Sequence, residues 1–114
     1  MKRSVYICGP IAGMPDGNKL AFREAQYELT VGQHNRECLN VVNPHDISPW
    51  KHEHECPEVY GTKTPDGHDG GCHLREDIAR LVRCHIIFCL KGWDENKGAR
   101  IEHDLAKQLG LEIW

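Results

Sequence analysis

No stretch of this 114-residue sequence approaches the roughly 18 consecutive apolar residues that a membrane-spanning helix requires. The amino terminus, MKRSVYICGP, combines two basic residues with only a short apolar run, so we expect no secretory signal peptide. The sequence therefore predicts neither a membrane protein nor a secreted one, and we expect a cytoplasmic location.

An excess of positive charge is also missing. The 14 lysine and arginine residues are outnumbered by 17 aspartate and glutamate residues, which leaves a formal net charge of −3. Duplex nucleic acid and anionic membranes attract proteins through broad positive fields, so neither is expected as a partner. Small molecules or other proteins are the partners that this charge favours.

The six cysteines are even in number, as a disulfide framework would require. However, Cys8, Cys84 and Cys89 lie in or beside apolar segments that are typical of buried strands. Without a secretion signal, we expect reduced thiols rather than disulfides.

Composition and periodicity predict one α/β domain spanning residues 1–114. The chain is 39% hydrophobic and 27% charged, which suits one modest core. The predicted strands are residues 4–8, 39–44, 85–90 and 111–114, and the predicted helices are residues 18–33, 74–82 and 96–109, the first capped by Asn18. Alternating strands and helices imply right-handed crossovers and a parallel sheet covered on both faces. Ligands of such sheets bind beyond the carboxyl ends of the strands, here after residues 8, 44 and 90.

The pattern breaks down at residues 46–72, which are rich in proline, glycine, histidine and charge. Loops of this length inside a compact domain are usually functional, and we expect a poorly ordered lid or wall over a site. The segment offers enough nitrogen and sulfur donors for a tetrahedral zinc, namely His52, His54, Cys56, His68, Cys72 and His73. Their spacing fits no recognisable zinc finger, so we expect no metal and no cofactor.

A glycine-rich turn, YICGPIAGMPDG, follows the first strand. Gly9 and Gly13 would let backbone N–H groups approach a phosphate or a sugar hydroxyl closely. The spacing matches neither the P-loop nor the dinucleotide-binding motif, and a tight turn that needs positive φ explains the glycines equally well. Tyr6, near the end of the strand, is the type of residue that more often packs in a core.

The last predicted helix places a carboxylate among apolar side chains. Over residues 97–109, helical geometry puts Glu102 inside an arc formed by Ile101, Leu105, Ala106 and Leu109. Buried carboxylates are costly unless paired. The structural explanation is an ion pair with Arg100, Lys97 or Arg75. The functional one is a reactive group that a small molecule reaches past Gly98, one turn earlier.

Asp77 lies in the helix LREDIARLV, whose predicted core face consists of Leu74, Ile78, Leu81 and Val82. We place Asp77 at the flank of that face. A carboxylate there is commonly a helix-dipole partner or a solvated side chain. The functional alternative is a general acid.

Four segments together resemble the nucleoside 2-deoxyribosyltransferase-like family, in particular its small phage and bacterial members. They are YICGPIAGMP, the NP after the second strand, LREDIARLVRCHIIFCLKGW and NKGARIEHDLAKQLGLEI. The resemblance implies a flavodoxin-like three-layer sandwich with four to five parallel strands in the order 2-1-3-4, any fifth strand lying at the edge. It also implies cleavage or transfer at the N-glycosidic bond of a (deoxy)nucleoside or its 5′-monophosphate, and a homodimer or larger assembly.

The same resemblance implies a role for each matching residue. Glu102 corresponds to the nucleophile, Asp77 to the aspartate that handles the proton of the base, and Tyr6 to the tyrosine that orients the nucleophile. The residues that would line the sugar or phosphate end are Gly9, Pro10, Ile11, Gly13, Asn96 and Gly98. Asn96 stands where relatives carry an acid or a serine, which leaves the acceptor and the 5′ group open. The alternatives are a glycohydrolase of NAD or a cyclic ADP-ribose-like molecule, and a non-catalytic nucleotide-binding module.

Overall fold

The computed structural model describes residues 2–32, 39–47 and 68–114. Its elements, in chain order, are β1 (Ser4–Cys8), α1 (Lys19–Val31), β2 (Asn40–Val42), α2 (Gly70–Leu81), β3 (Ile86–Cys89), α3 (Lys97–Gln108) and β4 (Glu112–Ile113). All three strand pairings are parallel, and the strands lie in the order β2-β1-β3-β4. This confirms the predicted α/β class and the strand order 2-1-3-4 of a flavodoxin-like sheet.

The alternation of side chains along β1 divides the core into two layers. Val5 and Ile7 pack on one face with Phe22, Ala25 and Leu29 of α1. Tyr6 and Cys8 point to the other face, where the buried residues Leu81 of α2 and Ala99 and Ala106 of α3 cover them. Successive side chains of a strand point to opposite faces, so β1 contributes to both layers. The helices therefore lie on both sides of the sheet, and both carboxylates of interest lie on the α2/α3 side.

The start of α2 differs from the prediction. The helix begins at Gly70, so the last residues of the predicted 46–72 loop are helical. The side chain of Asp69 accepts a hydrogen bond from the backbone N–H of Gly71 at 3.0 Å and caps the helix. This cap offsets the low helix propensity of the two glycines, which had suggested a loop. Residues 48–67, on which the predicted lid depends, lie outside the described residues.

At α1 the predicted helix is confirmed, but the predicted cap is only half right. Asn18 occupies the N-cap position, yet its side chain makes no capping hydrogen bond. Its backbone is in the left-handed region, with φ of 61°, rather than in the extended conformation from which a capping side chain reaches the first turn.

The buried faces of α2 and α3 are rotated relative to the predicted ones. Ile101 is 37% exposed and Leu109 is 51% exposed, while Ala99, Glu102 and Ala106 are buried. Small side chains let α3 approach the sheet closely, and this close contact turns its larger aliphatic residues outward. On α2 the residues that are buried are Cys72, Asp77 and Leu81, and Val82 is exposed.

Among the described residues, no helix has the length and apolar character needed to cross a membrane.

Candidate active site

The candidate site lies where the order of the strands reverses. β2 pairs with one side of β1 and β3 with the other, and the carboxyl ends of β1 and β3 meet at Cys8 and Cys89. The chain then turns at Leu90, whose N–H donates to the carbonyl of Cys8 at 2.8 Å. Ligand sites of open parallel sheets form at this kind of crevice. Helix α3 begins just beyond it and returns over the sheet.

Tyr6 and Glu102 form the centre of the site. Tyr6 is fully buried in β1, and its hydroxyl donates a hydrogen bond to Oε2 of Glu102 on α3. Glu102 is only 5% exposed. Among the ion pairs of the described residues, none includes Glu102, so the structure does not support the predicted structural explanation of an ion pair with Arg100, Lys97 or Arg75. A buried carboxylate held by a neutral hydroxyl remains available for chemistry.

Burial raises the pKa of Glu102 to about 7, although hydrogen bonds from Tyr6 and Cys8 act in the opposite direction. Burial, and next the nearby charge of Glu102, raises the pKa of Tyr6 well above its usual range. Tyr6 therefore keeps its proton near neutral pH and donates a hydrogen bond to the carboxylate. Glu102 is poised to be ionised slightly above pH 7.

Asp77 is the second buried carboxyl of the site, at 9% exposure, rather than the flanking group that the sequence predicted. Burial and the charge of Glu102 raise its pKa to about 8. Helix α2 contacts α3, which brings the two carboxyls within electrostatic reach of each other. Two acids that interact in this way titrate as a pair, and the higher pKa of Asp77 favours Asp77 as the holder of the proton when the pair has one.

The raised pKa values predict that stability falls as pH rises. A carboxyl whose pKa is higher in the folded chain holds its proton more tightly there, so stability is lost from about pH 4, the unfolded value, to about pH 8. Asn mimics the neutral acid, so Asp77→Asn should remove part of this loss. The melting temperature of the variant minus that of the wild type should therefore be several degrees more positive at about pH 9 than at about pH 5.

Thermal unfolding of both proteins at the two pH values measures this difference. The matched control is Glu24→Gln, which removes an exposed carboxyl of α1. If Asp77→Asn and the wild type differ in melting temperature by the same amount at both pH values, Asp77 is not a neutral buried acid in the folded chain.

The turn after β1 meets the start of α3. The side chain of Asn96 accepts a hydrogen bond from the N–H of Ala99 at 3.0 Å and caps the helix. Its Nδ2 also donates to the carbonyl of Ala12 at 3.4 Å, within the turn. Asn96 therefore has a structural role that the sequence did not predict, and it ties the two segments together.

The residues of the turn differ in what they face. A Cβ at Gly9 would come within 2.9 Å of the Leu90 side chain, so this glycine is needed for close packing of the two strand ends. Gly13 has φ of 81°, which favours glycine. Pro10 is buried near Gly92, and Ile11 packs with the core on the α1 side.

Gly98, in the first turn of α3, lies beside open space. A Cβ built there would meet only Oδ1 of Asn96, at 3.6 Å. The missing side chain therefore leaves open space on the helix one turn before Glu102. Backbone N–H groups in a first helical turn lack partners within the helix, and they face the positive end of its dipole.

Two surface cavities lie elsewhere. The first, of about 230 Å³, lies beside α1 and is lined by Lys19, Arg23, Gln26, Asn43, His45 and Asp46. The second, of about 360 Å³, is lined by Asp94, Glu95, Lys97, Arg100, Ile101 and Asp104. Tyr6, Asp77 and Glu102 line neither cavity, and all three are buried. Neither cavity therefore gives a small molecule direct access to these carboxyls.

The suggested zinc ligands fall partly outside the described residues. His52, His54 and Cys56 belong to residues 48–67, which lie outside the described residues. In the part of the chain that the structure does describe, no three His, Cys, Asp or Glu side chains are grouped as a metal ion would require. The residues searched include His68, Cys72 and His73, so these three form no such group with other described residues.

One family model matches residues 3–114, and it is described as a domain of unknown function, DUF4406. The chain belongs to this family. No curated protein and no solved structure matches the chain. These comparisons give no chemical role for this DUF4406 domain, and the role proposed below is inferred from its geometry and sequence.

The sequence did not reveal Cys8 as a residue of the site. Its thiol donates to the carbonyl of Ala99 at 3.3 Å and lies within hydrogen-bonding reach of Glu102 and Cys89. The signal was present, because Tyr6 and Cys8 are two residues apart in a strand and must share a face. What the sequence could not show was which helix residue would stand opposite them.

Proposed function

We propose that this protein cleaves or transfers at the N-glycosidic bond of a (deoxy)nucleoside or its 5′-monophosphate, through a covalent glycosyl-glutamate at Glu102. The observation that supports this most strongly is the buried pair of carboxyls. Glu102 accepts a hydrogen bond from Tyr6, and Asp77 has a raised pKa. The resemblance of the sequence to 2-deoxyribosyltransferase-like proteins supports the same chemistry. It also supports a cytoplasmic homo-oligomer.

In the proposed reaction the ionised carboxylate of Glu102 attacks the anomeric carbon, and the C–N bond to the base breaks. Asp77 donates its proton to the departing base, which then leaves without a negative charge. Water or a second base attacks the glycosyl ester and releases Glu102. Tyr6 holds Oε2 and thereby aims the other oxygen of the carboxylate at the sugar. Burial shelters the ester from unwanted attack.

Release of free base tests this proposal. Purified protein is incubated with nucleosides, deoxynucleosides, their 5′-monophosphates and NAD, and the products are separated by chromatography. We expect base from at least one nucleoside or nucleotide, and none from the same compound with Glu102→Gln. Binding of a nucleotide without release of base from any compound would instead identify a binding module, and release from NAD alone would identify a glycohydrolase of NAD.

A 5′-phosphate should bind between the turn after β1 and the first turn of α3. Asn96 joins these two segments, and the positive end of the α3 dipole faces the same place. We therefore expect monophosphates to bind about 10- to 100-fold more tightly than nucleosides, as the loss of one or two charge-assisted hydrogen bonds implies. Calorimetric titration with Glu102→Gln, which should bind without turnover, measures both affinities. Equal affinities would contradict the placement.

Gly98→Ala should affect stability and activity in opposite directions. The added methyl group meets no closer atom than 3.6 Å and favours the helix, so the free energy of unfolding should rise, by up to about 1 kcal/mol. The same methyl group fills the space through which the sugar would approach Glu102, so kcat/KM should fall by about 10-fold or more.

Chemical denaturation and initial rates of base release measure the two effects of Gly98→Ala. Gly110→Ala is a useful contrast, because Gly110 has φ of 79° and lies beyond the end of α3. That change should reduce stability and leave kcat/KM nearly unchanged. Unaltered activity in Gly98→Ala would place the approach of the sugar elsewhere.

A further inference from the structure

Two thiols face each other across the central strands. Cys8 of β1 and Cys89 of β3 are direct partners in the parallel register. Both belong to the side of the core under α2 and α3, so their side chains share a face, and their sulfur atoms are within hydrogen-bonding reach. Paired strands lie about 4.8 Å apart, and disulfides span Cα separations of about 4.4–6.8 Å. The backbone therefore needs no rearrangement to link them.

We propose that Cys8 and Cys89 form a reversible thiol–disulfide pair, which a peroxide such as hydrogen peroxide closes and a dithiol reductant reopens. The pair lies beside the candidate nucleophile, because the Cys8 thiol also reaches Glu102. It is distinct from the sugar chemistry, since the oxidation needs neither carboxylate.

The two sulfur atoms differ in accessibility and acidity. Cys89 is half-buried, and its hydrogen bond with Cys8 lowers its pKa, with burial opposing. Cys8 is fully buried, and its hydrogen bond with Cys89, followed by burial, raises its pKa. The thiolate is the reactive form of cysteine. Cys89 is therefore the thiol that reacts first with peroxide, and Cys8 is the thiol that resolves the product.

The chemistry balances in two steps. The Cys89 thiolate attacks one oxygen of hydrogen peroxide, an S–O bond forms, the O–O bond breaks and hydroxide leaves, to be protonated to water. The Cys8 sulfur then attacks the sulfenic sulfur, an S–S bond forms, the S–O bond breaks, and a second water leaves with the Cys8 proton. Conversion of Cys89 to the sulfenic acid removes its negative charge, so the neighbouring Cys8 becomes easier to deprotonate.

Closing the disulfide should also change the candidate site. A disulfide sulfur has no hydrogen to donate, so the single S–H of Cys8, which has the Ala99 carbonyl and Glu102 within reach, would be lost, and Glu102 would keep Tyr6 as its donor. This consequence rests on the proposed function: base release should fall by at least about five-fold, as the loss of one hydrogen bond implies, and return on reduction.

Peptide mapping of the full chain tests the pair itself. The protein is treated with hydrogen peroxide while folded, its remaining thiols are blocked in denaturant, and it is digested with trypsin. We expect the peptides SVYICGPIAGMPDGNK and CHIIFCLK to be joined and to separate after reduction. With Cys84 blocked, the linked mass should be the sum of the two peptides plus one blocking group, less two hydrogens. Before oxidation, a small alkylating reagent should modify Cys89 at least about 10-fold faster than Cys8.

The second peptide also contains Cys84, which provides the control. Cys84 is buried, its thiol donates to the carbonyl of Arg80, and burial raises its pKa to about 11. Cys84→Ala should still form the linked peptides, whereas Cys89→Ser should leave Cys8 unlinked and reduced.

Oxidation of Cys89 to sulfinic acid without a link to Cys8 would overturn the proposal, and so would persistence of both thiols after Cys84 has been oxidised. Linked peptides in a protein whose reduced form releases no base would uphold the thiol pair and refute the proposed function.

Discussion

Replacement of Glu102 by alanine should reduce base release by about 10³-fold or more, which corresponds to roughly 4 kcal/mol of transition-state stabilisation. Alanine has no nucleophilic oxygen, so the covalent route is lost. Glu102→Gln should be nearly as inactive, because an amide attacks the anomeric carbon poorly while it keeps the volume of the side chain and accepts the hydrogen bond of Tyr6.

The same changes should leave the fold intact. Removing a buried carboxyl relieves its desolvation cost, but alanine also leaves the hydroxyl of Tyr6 without its acceptor, at a cost of about 1–3 kcal/mol. These effects oppose each other, so the melting temperature of Glu102→Ala should stay within several degrees of that of the wild type. Glu102→Gln should be the more stable of the two variants.

Thermal unfolding combined with chromatographic base release tests both statements on one preparation. A 2-fluoro sugar analogue should form a slowly hydrolysed ester, and mass spectrometry after trypsin should find it on the peptide IEHDLAK, residues 101–107. If Glu102→Ala unfolds while Glu102→Gln keeps full activity, the residue has a structural role only and the assignment as nucleophile is wrong.

Asp77→Asn should lower the rate by about 10²- to 10⁴-fold for bases that leave poorly, because a general acid contributes about that much. The loss should be smaller for bases that depart readily without a proton. The wild-type rate should rise as Glu102 ionises near pH 7 and fall as Asp77 loses its proton near pH 8, which gives a narrow bell-shaped profile. Asparagine does not titrate, so the alkaline limb should disappear in the variant.

Rates measured across this pH range, with one poor and one good leaving group, separate the two effects. Glu76→Gln is the matched control, since it removes a neighbouring carboxyl of α2 that also raises the pKa of Asp77. That variant should retain the alkaline limb, displaced to somewhat lower pH. Retention of the limb in Asp77→Asn would show that another group donates the proton.

The sequence predicted the positions of the strands well, because apolar runs bounded by glycine and proline identify buried strands, whereas the order of the strands followed from the family resemblance. β1 has the predicted bounds, and β2 and β3 are each contained within the predicted segments. The faces of the helices were harder to predict. Periodicity placed Ile101 and Leu109 in the core, whereas α3 contacts the sheet through Ala99 and Ala106. A pattern of apolar residues shows that a helix has a buried side, but the neighbouring surface decides where that side is centred.

The candidate site was predicted in part, and for a related reason. The burial of Glu102 followed from its position within one helix. The burial of Asp77 did not, because it depends on how α2 packs against α3. The contact between Cys8 and Cys89 depends on the register of two strands that are far apart in sequence. Relations of this kind are set by tertiary packing and leave little trace in local sequence.

The hydrogen bond between Tyr6 and Glu102 joins residues that are 96 positions apart in the chain. β1 is made first, yet it lies in the middle of the sheet and stays unpaired on one side until β3 is available. During synthesis, β1 therefore emerges well before α3 can dock on it. Chains that stop before α3 contain β1 but no carboxylate opposite Tyr6, so the proposed activity requires translation through α3.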